Sequence, residues 1–255
     1  MKKLIKKVLN KFGYKISKIQ NENNTYPLFG LKNQITRDFW LENILKKIPQ
    51  GHRILDAGAG ELQYKKFCSH LNYVSQDFAQ YNGIGNNIGI QMQTWDNSKL
   101  DIISDITKIP EADNSFDAIM CIEVFEHIPT PIEAIKEFAR LLKKGGTLII
   151  TAPFCSLTHF APYHFYSGFN KYFYEKHLTD FGFEVQELVP NGNFFEYLAQ
   201  EINLRIPNQF SKYSLTKKDK IVRTNFLTLL ENLSNQSEKS EDILCFGFQI
   251  KAIKK

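Results

Sequence analysis

Residues 53–60 read Arg53-Ile54-Leu55-Asp56-Ala57-Gly58-Ala59-Gly60, an apolar run that meets an acid and then two glycines. A short buried strand that ends on a carboxylate and turns through glycine lets backbone approach a ligand, because no side chain stands between them. The dinucleotide fingerprint G-x-G-x-x-G requires a small residue at position 63. Gln63 stands there instead, which disfavours pyrophosphate binding at this turn. A plain strand–helix turn without a ligand is the simpler alternative for this segment taken alone.

On either side of this turn, strand and helix signals alternate. Strands are expected at 52–56, 73–77, 100–105, 115–123 and 147–152, with helices at 36–47, 61–70 and 131–143. In the first of these helices Thr36 is the expected N-cap, and Phe39, Trp40, Ile44 and Leu45 the inward side. For 131–143, Thr130 and Glu133 spell a capping box and Pro131 suits the first helical position. Ile132, Ile135, Phe138, Ala139 and Leu142 share a face, and Gly145-Gly146 ends the helix. Beyond it come a helix at 170–181 stopped by Gly182, a strand at 183–189, and a lysine-rich helical stretch at 193–236. The polar run 232–242 reads as a mobile loop, and 243–253 alternates as a last strand. Repeated strand–helix units predict an α/β fold with a parallel sheet covered on both faces.

Bulk properties narrow the class of protein. The chain has 255 residues, 43% of them hydrophobic, and a net charge of +5, ordinary for a soluble domain and too mild to argue for nucleic acid. The excess is local: Lys2, Lys3, Lys6, Lys7, Lys11, Lys15 and Lys18 lie opposite Leu4, Ile5, Val8, Leu9, Phe12, Ile16 and Ile19 at helical spacing. The expected organisation is therefore a basic amphipathic helix and linker at 1–34, then one domain at 35–255 with a helical insertion at about 193–236. Cys68, Cys121, Cys155 and Cys245 lack CxxC spacing and read as buried thiols of a reducing compartment. No run is apolar enough for a membrane span and no signal peptide is evident, so a cytoplasmic location is expected.

Acids recur where such a sheet would present them. Asp77 ends the second strand about twenty residues past the turn, where a carboxylate can accept both hydroxyls of a ribose. Ser104-Asp105-Ile106 follows the third strand, with an acid for an exocyclic amine and an apolar side chain for a ring. The run 115–128, from Ser115-Phe116-Asp117 to Glu123-Val124-Phe125-Glu126-His127-Ile128, is a buried strand with acids at its carboxyl end. In order and spacing, residues 53–190 resemble the class I S-adenosylmethionine-dependent methyltransferases, above all the group related to ubiquinone-pathway O-methyltransferases. The Leu141-Leu142-Lys143-Lys144-Gly145-Gly146 turn belongs to the same resemblance. Leu62 replaces a frequent third glycine and Lys144 a frequent proline. The resemblance implies a Rossmann-like seven-stranded, mostly parallel sheet with an antiparallel last strand. It also implies S-adenosylmethionine as cofactor, with Asp56, Gly58, Ala59 and Gly60 beside the methionine part, Asp77 at the ribose, Asp105 and Ile106 at the adenine, and Glu123 facing the cofactor.

The segment 152–166, which includes Thr158-His159-Phe160 and Tyr163-His164-Phe165-Tyr166, resembles the acceptor-side loop of methyltransferases of bacterial surface glycans. Methylation of an oxygen of a small molecule or glycan intermediate is the expected reaction. A hydroxyl acceptor needs a base, and His159 and His164 are the candidates; a histidine bonded to loop backbone is the plainer reading of each. If residues 123–127 form a helical turn, Glu123, Glu126 and His127 share a face. That pattern resembles the divalent-metal site of small-RNA 2′-O-methyltransferases, with His159 or His164 completing it. A family member without metal is the favoured reading. The basic helix fits either an anionic membrane surface, placing the protein at its inner face, or packing on protein. A nicotinamide-binding reductase and a non-catalytic adenosyl-binding, membrane-associated protein are the competing functions. RNA modification is disfavoured, because no basic aromatic RNA-binding module is evident beyond the first eighteen residues.

Overall fold

The computed structural model describes residues 29–206 and 214–255; the amphipathic helix expected at 1–19 lies outside them. Seven strands form one sheet: β1 (Arg53–Ala57), β2 (Asn72–Asp77), β3 (Ile102–Ile103), β4 (Phe116–Ile122), β5 (Leu142–Pro153), β6 (Phe183–Asn191) and β7 (Gly247–Lys254). Their order is β3-β2-β1-β4-β5-β7-β6. All pairs are parallel except those of β7, which runs antiparallel to both β5 and β6. The Rossmann-like sheet with its antiparallel last strand is therefore present.

Side chains that alternate along the central strands feed two cores. Leu55, Ala57, Ile119, Cys121, Leu148 and Ile150 point to one face. There α2 (Pro131–Leu141) adds Ile135 and Phe138, and α3 (Lys171–Asp180) adds Tyr174 and Leu178. Ile54, Ala118, Met120, Ile122 and Ile149 point to the other face, under Leu41, Ile44 and Leu45 of α1 (Asn33–Leu45). Burial on both sides explains why β4 reads as an almost unbroken apolar run. Strand order reverses between β1 and β4, and their carboxyl ends flank the crevice where open α/β sheets hold ligands. Because β6 runs parallel to β5 through β7, its carboxyl end at Asn191 lies on that same edge.

Several local expectations are corrected. The helix expected at 61–70 is reduced to turns and a 3-10 turn at Lys65–Phe67. Gly60 and Leu62 both take positive φ, 50° and 62°, which a right-handed helix excludes. Helix α1 begins at Asn33, so Thr36 sits inside it and returns its hydroxyl to the carbonyls of Lys32 and Asn33. Phe39 is exposed; the buried side runs through Asp38, Leu41, Ile44 and Leu45. Helix α2 has no side-chain cap from Thr130, whose ψ of 68° turns the chain away from capping geometry, and Ile132 is exposed. The third strand keeps only two residues.

The stretch expected to be helical at 193–236 divides into α4 (Phe194–Gln200), continued by a π turn at Glu201–Arg205, and α5 (Lys217–Gln236). Asn193 caps α4 through the amides of Phe195 and Glu196, and Thr216 with Asp219 forms a capping box on α5. The loop expected from 232 is helical as far as Gln236, followed by a 3-10 turn at Ser240–Asp242. Phe29, Ala199, Leu227 and Leu230 form a third, smaller core that ties the chain before α1 to these helices. Among the described residues, no helix is long and apolar enough to cross a membrane.

Candidate active site

The glycine turn after β1 is fixed from β2. The amides of Gly58 and Ala59 donate to the Gln76 carbonyl at 2.8 and 2.9 Å, and the Gly60 amide donates to Asp77 Oδ2 at 3.0 Å. Asp77 Oδ1 accepts from the Ala79 amide at 2.9 Å, so one carboxylate holds both walls of the turn. Gly58 takes φ +80°, and a Cβ there would stand 2.5 Å from Val124 Cγ2. Glycine is thus required on two counts.

A cleft of about 920 Å³ opens above this turn. Gly58, Ala59, Gly60, Asp77, Asp105, Ile106 and Glu123, seven of the eight residues expected around a cofactor, line it together. Asp56 does not. Its carboxylate is buried beneath the turn, where it accepts from the Tyr73 hydroxyl at 2.6 Å. Burial pushes its pKa up to about 7, against the Tyr73 hydrogen bond and with a further push from Asp77. Asp105 is exposed at the far end, bonded through Oδ1 to the amide and hydroxyl of Thr107. Gln76 is fully buried beside the cleft, and its Oε1 has no hydrogen-bond partner among the described residues.

Arg37, which sequence reasoning overlooked, closes the floor. It lies one helical turn before Leu41 on the buried side of α1, and that i, i+4 relation was the available signal. Its guanidinium meets Glu123 Oε2 at 2.9 Å, while Thr151 Oγ1 donates to Glu123 Oε1 at 2.9 Å. Burial raises the Glu123 pKa, opposed by Arg37 and assisted by Glu126.

Two loops meet beside the cleft. Ile90 and His159 pair as a parallel bridge, with amides of Ile90 and Phe160 each donating at 3.0 Å to carbonyls of Thr158 and Ile90. Phe160 stacks on Tyr81 at 4.5 Å between ring centres and meets Trp95 edge-on at 5.3 Å; Phe78 meets Tyr163 edge-on at 5.0 Å. All five rings line the cleft. Of these, Phe78, Tyr81 and Trp95 were not foreseen; they come from the long loop after β2, which carries no periodic signal.

The histidines are layered. His127 lines the cleft, whereas the expected bases His159 and His164 sit behind it, with ring centres 4.7 and 6.1 Å from His127. His127 Nδ1 meets the Tyr163 carbonyl and His159 Nδ1 the Leu157 carbonyl. A carbonyl only accepts, so each Nδ1 carries a proton and each Nε2 is free as a base or ligand. Both Nε2 atoms turn toward Glu126 Oε1, at 3.7 and 3.8 Å. Glu126 is 2% exposed, and its Oε2 has no partner among the described residues. Burial works against the charged form of Glu126, but His159 and His127 outweigh it and hold its pKa low. Burial lowers the pKa of His127 despite Glu126; for His159 burial also pulls down, but the nearby Glu126 carboxylate outweighs it and the pKa rises. His164, lowered by burial, faces Ser156 Oγ at 3.1 Å.

The expected metal group is redrawn by this geometry. Glu123 takes φ +56° and ends the strand, so 123–127 is not a helical turn and only Phe125–His127 coils. The three groups whose ligand atoms come within 4.8 Å of one another are Glu126, His127 and His159. A carboxylate with two imidazoles suits manganese, iron or zinc. Backbone carbonyls behind both rings are the usual outer support of such ligands.

Residues 55–150 match the family described as Methyltransferase domain. Ubiquinone biosynthesis O-methyltransferase of Xanthomonas campestris pv. campestris is 49% identical over 41 residues, 16% of this chain and 17% of that protein. "Probable tRNA methyltransferase 9B" of Homo sapiens is 34% identical over 114 residues, 43% of this chain and 23% of that protein. The chain thus spans less than a quarter of the length of these curated relatives. Among solved structures, phosphoethanolamine N-methyltransferase 2 of Haemonchus contortus, in complex with S-adenosyl-L-methionine, has a TM-score of 0.52 at 16% identity. That alignment covers 86% of this chain and 52% of the other. At such identity the likeness shows the fold alone. The matched Methyltransferase domain at residues 55–150, the strand order and the glycine turn bound to β2 together support a class I S-adenosylmethionine-dependent methyltransferase.

Proposed function

We propose that the protein transfers a methyl group from S-adenosylmethionine to an oxygen of a small-molecule or glycan acceptor. The observation that carries this reading is His127, a neutral imidazole held at the cleft with its Nδ1 on the Tyr163 carbonyl and its Nε2 free. Bound S-adenosylmethionine supplies an electrophilic methyl group on a sulfonium. The cleft fits that molecule. The Asp77 carboxylate keeps unused lone pairs for a ribose, Gln76 Oε1 is a buried acceptor awaiting a donor, and Ile106 offers an apolar surface to a ring. Arg37, whose buried Nε has no hydrogen-bond partner among the described residues, stands ready for a carboxylate.

On the acceptor side, Phe160, Tyr81 and Trp95 give flat surfaces on which a ring can lie. His127 takes the hydroxyl proton as the oxygen attacks, and Glu126 beside it stabilises the imidazolium that results. Alignment of the two reactants supplies much of the acceleration, at best about 7–11 kcal/mol. In this reading His159 and His164 are positioning residues behind the base.

The converging Nε2 atoms favour a second reading of the same reaction. Glu126, His127 and His159 would hold a divalent cation, which lowers the pKa of a coordinated hydroxyl. Glu123 stays with Arg37 and Thr151 outside that set.

Calorimetry with S-adenosylmethionine tests the cofactor half. Incubation of the enzyme and cofactor with a cell extract, read by mass spectrometry for a gain of one CH₂ unit, tests the transfer. Saturable cofactor binding with a methylated hydroxyl product is the expected result. Absence of cofactor binding would overturn the proposal, and methylation confined to nitrogen would overturn the oxygen acceptor.

A further inference from the structure

Trp95 belongs to the long loop after β2, yet it is seated on the glycine turn after β1. A Cβ at Gly60 would stand 2.6 Å from Trp95 Cζ2 and 3.4 Å from Cε2 and Cη2, so the indole packs against the Gly60 backbone. The ring is half-buried and lines the cleft. Tyr81 and Phe160 meet it edge-on, at 5.6 and 5.3 Å between ring centres.

The loop ties down the residues on both sides of the indole. The Gln93 amide donates to the Gly83 carbonyl at 2.7 Å, and Asn97 Nδ2 to the Tyr81 carbonyl at 3.0 Å. The Asp96 amide donates at 3.1 Å to Oε1 of Glu61, the residue that follows Gly60. An aromatic ring fixed in advance loses little freedom when a ligand meets it.

Position decides which part of the ligand that is. Gly60 gives its amide to Asp77, the residue proposed for the ribose, and it ends the turn proposed for the methionine part. In S-adenosylmethionine the sulfonium joins those two parts, so Trp95 packs where the positive charge would lie. Charge agrees. Among the described residues four carboxylates line the cleft, and the chain engages each of them. Asp77 accepts from Gly60 and Ala79, Glu61 from Asp96, and Asp105 from Thr107, while Glu123 accepts from Thr151 and pairs with Arg37. An indole face attracts a cation through its quadrupole, more strongly than any other aromatic side chain. Unlike a carboxylate, it presents no nucleophilic lone pair to the electrophilic methyl group.

We propose that Trp95 reads the charge of the cofactor, holding the sulfonium by a cation–π contact that is lost with the thioether left after transfer. This inference rests on the cofactor site proposed above and gives Trp95 a part in it beyond the acceptor side.

Calorimetry of the full chain with S-adenosylmethionine and with S-adenosylhomocysteine tests this, because the two differ at sulfur by one methyl group and one charge. Trp95→Leu should weaken S-adenosylmethionine at least about fivefold more than S-adenosylhomocysteine. Trp95→Phe should restore most of that difference. Should the leucine variant not fold, the parent sequence made with a singly and then a doubly fluorinated tryptophan keeps the shape while drawing electron density from the ring. The ratio of the two affinities should then fall stepwise. The other tryptophan, Trp40, bonds to Glu187 and is not among the residues that line the cleft, so the change reports Trp95. An equal loss of both ligands in Trp95→Leu, or a ratio that fluorination leaves unchanged, would overturn the proposal. In either case binding of both ligands to the parent would leave the cofactor reading standing. A parent that binds neither ligand would overturn both.

Discussion

Arg37 and Glu123 meet at 2.9 Å across the floor of the cleft, joining α1 to the carboxyl end of β4. Arg37 is largely buried, and the charge it balances stands at a residue with positive φ, so neither partner is easily replaced. Removing one member of a buried pair leaves the other charge without compensation, a loss larger than the pair's net worth. Arg37→Ala is expected to destabilise the fold by about 1–2 kcal/mol, less than for a fully buried pair because the Glu123 side chain is 30% exposed at the cleft. The double variant Arg37→Ala/Glu123→Ala should recover part of that loss. Urea denaturation of the four members of the cycle measures it; additive single effects would show that the two side chains act independently.

Asp77 holds the turn and also lines the cleft where the proposed cofactor would bind. It accepts from Gly60 and Ala79, and its remaining lone pairs point where a ribose would lie in the proposed site. Hydrogen bonds to a charged group contribute about 1.5–3 kcal/mol. Asp77→Ala should therefore weaken S-adenosylmethionine at least about tenfold. Calorimetry decides it, and equal affinity in the variant would remove Asp77 from the cofactor site.

The sheet was legible because both of its faces are covered. β4 shows it best: burial of Ile119 and Cys121 on one side, and of Ala118, Met120 and Ile122 on the other, leaves an apolar run no surface segment would carry. The glycine turn was legible because Gly58 has neither the space nor the φ for a side chain. Local geometry at 60–62 and 123 was not. Positive φ at Leu62 and Glu123 occurs beside tertiary contacts, the Gly60 amide on Asp77 and the Glu123 carboxylate on Arg37, and leaves no mark in residue type. The same reason hid the identity of the cleft-facing histidine. Which of His127, His159 and His164 comes forward depends on two loops meeting at Ile90 and His159, a pairing across 69 positions that no spacing rule contains.

Asp56 makes stability depend on pH. In the folded chain its pKa is about 7, against an ordinary 3.8, because burial disfavours the carboxylate. Between those values the folded state keeps a proton that the unfolded state gives up. Stability is therefore expected to fall as pH rises from about 4 to about 7 and to level off above it. The limiting size is about 4 kcal/mol. Asp56→Asn, which can still accept from Tyr73, should lose this component and gain relative to the parent as pH rises. Thermal melts of both proteins from pH 4 to 8 measure it, and parallel curves would show that Asp56 titrates normally.

The layered histidines separate a base from its support. If His127 takes the proton, His127→Asn should lower kcat by about a hundredfold or more while cofactor affinity is retained. His164→Ala, one layer back beside Ser156, should cost far less. His159→Ala should fall between them, since it leaves Glu126 with only one imidazole neighbour. Dialysis against a chelator distinguishes the two readings of the site. Activity that is lost and then restored by manganese or zinc favours a cation on Glu126, His127 and His159. Activity that survives chelation favours His127 acting alone, and its pH profile should then rise at lower pH than for an ordinary histidine, because burial lowers the imidazole pKa. A His127→Asn variant as active as the parent would remove this residue from both readings.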